Sequence, residues 1–290
     1  MSRFSILEAA SGCAALVLLV AGGCGQGVQI DPAPQVQAAM TLRASGGQKA
    51  THVAAASTGT GWGTLKGVFK FTGNAPAEGF LSTAGKDGAV CGAQVPIQSL
   101  EVDSGSKGIA NIIVFARKVS RVYDAYKKAE GQSREFDQKK CLFLNHVFAC
   151  QTKDTLVIKN SDSISHNTNL SPQGNEGINP VLPANQDVHY KFSKPLALPT
   201  EVTCNIHPWM KAYILARDDP YFAVTSKEGA FEIANLPAGE DIEFQVWHEQ
   251  APGGGLEARS GWSKGRFRLK LTDGKTEDLQ TIEVPAGAFR

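Results

Sequence analysis

From TLKGVFKF (64–71) onward the chain is a succession of short apolar runs separated by Gly, Pro, Asn and Asp. The further runs are IANIIVFARK (109–118), HVFAC (146–150), TLVIKN (155–160), DVHYKF (187–192), MKAYILA (210–216), AFEIAN (230–235), DIEFQVWH (241–248), RFRLKL (266–271) and LQTIEV (279–284). They are rich in β-branched and aromatic residues, and several alternate apolar with polar side chains. Such runs present one face of a strand to a core. Strands this short, with turn residues at this spacing, build sandwiches or barrels instead of a parallel sheet with crossover helices. The expected fold class is therefore all-β. One short helix is expected in RVYDAYKKAE (121–130), with Ser120 as its N-cap.

The N-terminus reads differently. Arg3 precedes the apolar run AALVLLVAGG (14–23), and Cys24 follows it directly. About ten apolar residues are too few to span a bilayer and suit the core of an export signal. A Cys immediately after small residues predicts lipoprotein processing, with residues 1–23 removed and Cys24 lipidated. Ordinary cleavage to a free protein is the alternative. Residues 24–60 are rich in Gly, Ala, Ser, Thr and Gln, lack a sustained period and are expected to be a flexible tether. The protein is thus expected to be exported, at the periplasm or cell surface, with a membrane contact only through a lipid at Cys24. The formal net charge of +1 offers no electrostatic reason to expect nucleic acid as a partner.

Export also bears on the six cysteines. With Cys13 in the signal and Cys24 lipidated, Cys91, Cys141, Cys150 and Cys204 remain. An oxidising compartment favours a disulfide among them. Spacing does not decide the pairing; Cys91 with Cys141 is the expected pair.

Chemistry concentrates in EVTCNIHPWMKAY (201–213), where Cys204, His207 and Met210 follow one another at three-residue intervals. Taken alone, a thiol, an imidazole and a thioether are ordinary core residues. A second segment, KNSDSISHNTNL (159–170), adds His166 in a loop after a strand. Two imidazoles, one thiolate and one thioether form the donor set of a blue-copper electron-transfer site, with Cys and two His in a trigonal arrangement and Met at a weak axial position.

TLVIKNSDSISHN followed by VTCNIHPWMKAYI resembles the plastocyanin and amicyanin group of cupredoxins, over roughly residues 141–217. That resemblance implies a Greek-key sandwich and a single type 1 copper held by His166, Cys204, His207 and Met210. Asn167 would bridge the two ligand loops, and His207 would sit on an exposed loop as the port for electrons. Pro208 and Trp209 would form a small apolar docking surface, or Trp209 would pack inward. Ser165 stands where the family often has a proline. DDPYFAVTSKEGAFEIANLPAGEDIEFQVWHE (218–249) is similar to carboxypeptidase regulatory-like sandwiches, and GWGTLKGVFKFTG (61–73) to their first strand.

The expected organisation is a strand-rich scaffold segment over 61–140, the copper domain over 141–217 and a second β-sandwich over 218–290. The second sandwich is either continuous with 61–118, making the copper domain an insertion, or in tandem. The functional expectation is a one-electron carrier, not an enzyme, that meets a transient redox protein partner. No His-x-His pair, G-x-S-x-G or H-E-x-x-H sequence offers a second copper centre or another catalytic constellation. Alternatives are a copper-sequestering protein, or a metal-free structural or carbohydrate-binding lipoprotein. His146 has no assigned role, His189 is expected on a polar face, and His248 in a core.

Overall fold

A computed structural model describes residues 59–289. The expected signal, Cys24 and most of the tether lie outside the described residues. The described chain is all-β, with two short helices, Gly88–Cys91 and Asp124–Lys128. The second lies inside the expected 121–130 segment but starts later. Tyr123, not Ser120, takes the N-cap position, and no side chain caps it.

Two hydrophobic cores organise the strands. The first is enclosed by two four-stranded sheets. One runs in the order Asn169–Leu170, Thr200–Thr203, Lys211–Arg217, Val147–Gln151; the other in the order Asp187–Tyr190, Thr155–Asn160, Ser133–Lys139, Leu142–Phe143. Phe136, Phe143, Leu156, Ile158 and Tyr190 from one sheet meet Val147, Cys150, Val202, Ala212, Ile214 and Ala216 from the other. Each sheet contains one parallel pairing, Lys211–Arg217 with Val147–Gln151 and Ser133–Lys139 with Thr155–Asn160. Long connections therefore cross between the sheets, as in Greek-key folds.

Ser133–Lys139 corrects the expected boundary at residues 140 and 141. This strand belongs to the sheet of Thr155–Asn160, so the sandwich begins before residue 141. Its sequence SREFDQK buries only Phe136 and Gln138 among charged neighbours, a pattern too polar to read as a strand in isolation.

The second core gathers strands from both sides of that region. Trp62–Thr72 pairs with Ala230–Pro237 and with Thr276–Pro285. Ile113–Ala116 pairs with Phe222–Val224 and with Asp241–Trp247, which continues to Arg266–Lys270. Trp62–Thr72 shows the alternation its sequence predicts, with Leu65, Phe69 and Phe71 buried. Ile113–Ala116 has no polar face because it separates the two cores. Val114 and Ala116 face one, while Ile113 and Phe115 face the other with Trp247. Each large apolar side chain buried this way contributes about 2 kcal/mol.

Arg217 ties the seam. Its guanidinium donates to the carbonyls of Leu196, Ala116 and Arg117 and lies over the Phe115 ring. Cys150 is a free, buried thiol whose pKa burial pushes up to about 12, so it is inert.

The other imidazoles among the described residues are accounted for structurally. His146 faces the Lys211 carbonyl through Nδ1 and the Glu249 carboxylate through Nε2. His189 is exposed beside Asp187. His248 is buried, its Nδ1 accepting from the Gln250 backbone N–H. Burial, then the neighbouring His146, pushes its pKa down to about 3. The unfolded chain, with an ordinary His pKa of about 6.5, therefore takes this proton first. Stability is expected to fall as pH drops from about 6.5 toward 3, by up to roughly 1.4 kcal/mol per pH unit from this residue. Urea unfolding across that window should show the slope, and His248→Gln should flatten it; an unchanged slope would assign the acid sensitivity elsewhere.

Candidate metal centre

Each loop end that carries a candidate ligand is held by its own hydrogen bonds. His166 follows the strand Thr155–Asn160 through a turn that Asn160 organises. The Asn160 amide donates to the carbonyls of Ile164, Leu182 and Pro183, and its Oδ1 accepts from Asp162 N. His166 and Asn167 then pair antiparallel with Leu182 and Val181. Cys204 lies just beyond the strand Thr200–Thr203, and Lys211 begins the next strand. The turn between them closes through Cys204 N to Met210 O (3.2 Å) and Met210 N to His207 O (2.9 Å).

Asn167 joins the two loops. Its Oδ1 accepts from the backbone N–H groups of Asn205 (2.8 Å) and Ile206 (3.1 Å), and lies 3.4 Å from Cys204 Sγ. Its own backbone N–H points at Cys204 Sγ at 3.5 Å.

The loops bring His166, Cys204 and His207 together. One donor atom of each lies within 4.8 Å of the others, and all three residues are buried. Met210 is likewise fully buried, directly before Lys211–Arg217.

The two imidazoles carry the most information. His166 Nε2 lies 2.8 Å from Asp162 Oδ2, and His207 Nε2 lies 2.8 Å from Asp87 Oδ2. A carboxylate only accepts hydrogen bonds, so each Nε2 bears the proton. Both Nδ1 atoms are then left as acceptors, and they face each other at 2.9 Å. Two lone pairs at that distance repel unless a cation lies against both. A proton on either nitrogen would make this contact a hydrogen bond; burial, the largest influence on His166, disfavours one there by holding that residue's pKa below the ordinary value. A soft metal cation fits two imidazole nitrogens and a sulfur.

Asp162 and Asp87, which sequence inspection passed over, complete the site. Asp162 accepts from Lys140 N (2.6 Å), Cys141 N (2.8 Å) and His166. The only sequence signal was its position four residues before His166. Cys91 and Cys141 form a disulfide with a Cα separation of 5.1 Å. Two further groupings, Cys91 with Cys141 and His207, and Cys141 with Asp162 and His166, lie within the same 4.8 Å. A disulfide has no thiolate to offer; these groupings place it against both imidazoles. All three groupings found among the described residues occupy this one place.

One expectation is corrected here, and of the two alternatives for Trp209 the structure shows the second. His207 is not on an exposed loop: it is 0% exposed, and Asp87 covers its outer nitrogen. Trp209 packs inward, its ring centroid 5.2 Å from that of His207 and its indole N–H donating to Cys141 O at 3.1 Å. The segment responsible is far away in sequence, and no local pattern announces that it folds over the loop.

No protein-family model and no curated protein matches the chain. Among solved structures, a Cu-containing nitrite reductase (NirK) from Thermus scotoductus SA-01 is similar at 21% identity and a TM-score of 0.26, over 30% of this chain and 22% of that one. The chain thus spans about a fifth of the reductase's length. A reduced amicyanin variant is similar at 16% identity and a TM-score of 0.27, over 32% and 89% of the two chains. Another, in the Cu(I) form at pH 4, matches at 17% and 0.27, over 36% and 98%.

Replacing Asn167 by Ala would strip two loop N–H groups of their acceptor. The expected cost is roughly 2–4 kcal/mol in denaturant unfolding of the metal-free protein; a change below 0.5 kcal/mol would show that Asn167 does not hold the loops together.

Proposed function

We propose that this is an exported, lipid-anchored cupredoxin-type protein that holds one copper ion and passes single electrons to and from a transient protein partner. The supporting observation is the pair of facing Nδ1 atoms beside the Cys204 sulfur, each imidazole fixed by a carboxylate on its far side. Copper bound there would supply one-electron chemistry by alternating between Cu(I) and Cu(II).

In this reading His166, Cys204 and His207 are the strong ligands, and Met210 is the weaker thioether ligand that tunes the potential. Asn167 hydrogen-bonds toward the sulfur and ties the loops, so the ligands have little freedom to rearrange when charge changes. Burial of all four candidate ligands excludes water. That suits electron transfer better than substrate turnover, which needs an open coordination position. The strand pairings that run past the copper region on both sides give the second sandwich the role of a scaffold, whose sheet Ile113, Phe115 and Trp247 press against the copper-side core.

Colour tests this reading. Copper-loaded, oxidised protein should absorb intensely in the visible through the thiolate, and Cys204→Ser should abolish the band. Stoichiometric copper without the band would favour sequestration; a chain that ignores copper would favour the metal-free scaffold. Met210→Gln should retain copper and lower the potential, and an unchanged potential would remove Met210 from the ligand set.

A further inference from the structure

Residues 83–92 form a loop whose attachment to the rest of the protein is concentrated on the ligand turn. Its ends are pinned to each other, Thr83 Oγ1 donating to Gly92 O (2.8 Å) and Thr83 N to Ala93 O (3.1 Å). Between them, residues 84–89 are exposed and contribute nothing to either core. Three anchors hold the loop down. Lys86 Nζ donates to the carbonyl of Ile206, Asp87 takes the Nε2–H of His207, and Cys91 is bonded to Cys141. The Cys141 carbonyl in turn accepts from the Trp209 indole. Asp87 reaches His207 from a left-handed backbone conformation, φ 51°, which an Asp adopts at some cost. An exposed loop with no core of its own pays for its order through such contacts.

We infer that this disulfide-stapled loop is a cover over the metal centre and that Asp87 is a positioning residue for His207. The inference rests on the copper reading above and deepens it. By accepting from Nε2–H, Asp87 sets the tautomer that leaves Nδ1 free to bind, and it turns the ring toward His166 and Cys204. The same contact closes the side on which the imidazole edge would otherwise meet water. A redox partner therefore approaches over the loop instead of touching His207 directly.

The test compares wild type, Asp87→Asn and Asp87→Gly as full chains. Glycine removes the carboxylate while relieving the left-handed backbone; asparagine keeps a neutral acceptor in the same place. Copper affinity, measured by competition with a chelator, should fall roughly 10–100-fold in Asp87→Gly and by less in Asp87→Asn. In the metal-free protein, the His207 Nε2–H should give a slowly exchanging resonance by nitrogen-edited NMR, retained in Asp87→Asn and lost in Asp87→Gly. Absence of that resonance from the wild type, or Asp87→Gly affinity within twofold of wild type, would overturn the inference. A wild type that binds copper without the visible band would defeat the electron-carrier reading alone, because neither affinity nor the metal-free resonance depends on colour.

Discussion

Two imidazole nitrogens held face to face at 2.9 Å, each with its proton drawn to the opposite side by a carboxylate, set the terms for the rest of the site. Left bare, such an arrangement is electrostatically unfavourable, and native proteins, stabilised by roughly 5–15 kcal/mol in total, cannot hold many of them. Its maintenance requires the turn after Asn160, the Asn167 bridge and the loop carrying Asp87 to be in place at once. Those supports come from two stretches of chain, 160–167 and 83–92, and close on the ligand turn of a third.

The scaffold serves the same requirement at larger scale. Ile113–Ala116 is buried on both faces because it is the wall between two cores, and Arg217 locks the seam by donating to carbonyls on both sides. The sheet that carries the ligand turn is therefore backed by a second hydrophobic layer. A rigid backing of this kind limits how far Cys204 and His207 can drift.

Strand pattern and ligand types were legible in the linear chain to different depths. TLKGVFKF and DIEFQVWH alternate or run apolar strongly enough to be read as strands, and the all-β class follows from many such segments. Ser133–Lys139 was not legible, because its strand character comes from pairing with Thr155–Asn160 and not from its own side chains. The ligand set drew attention through Cys204, His207 and Met210 at close spacing with His166 upstream. Asp87 escaped notice, since an Asp in a Gly-rich loop 120 residues from His207 is indistinguishable from any turn residue.

Local chemistry thus determined which residues could be ligands, because donor type and short-range spacing are properties of the chain itself. Tertiary structure alone decided that His207 is sealed, that Trp209 turns inward and that the Cys91–Cys141 disulfide lies against the imidazoles. Each of those depends on segments distant in sequence packing together. Burial and long-range hydrogen bonds belong to the folded arrangement, and no window of neighbouring residues encodes them.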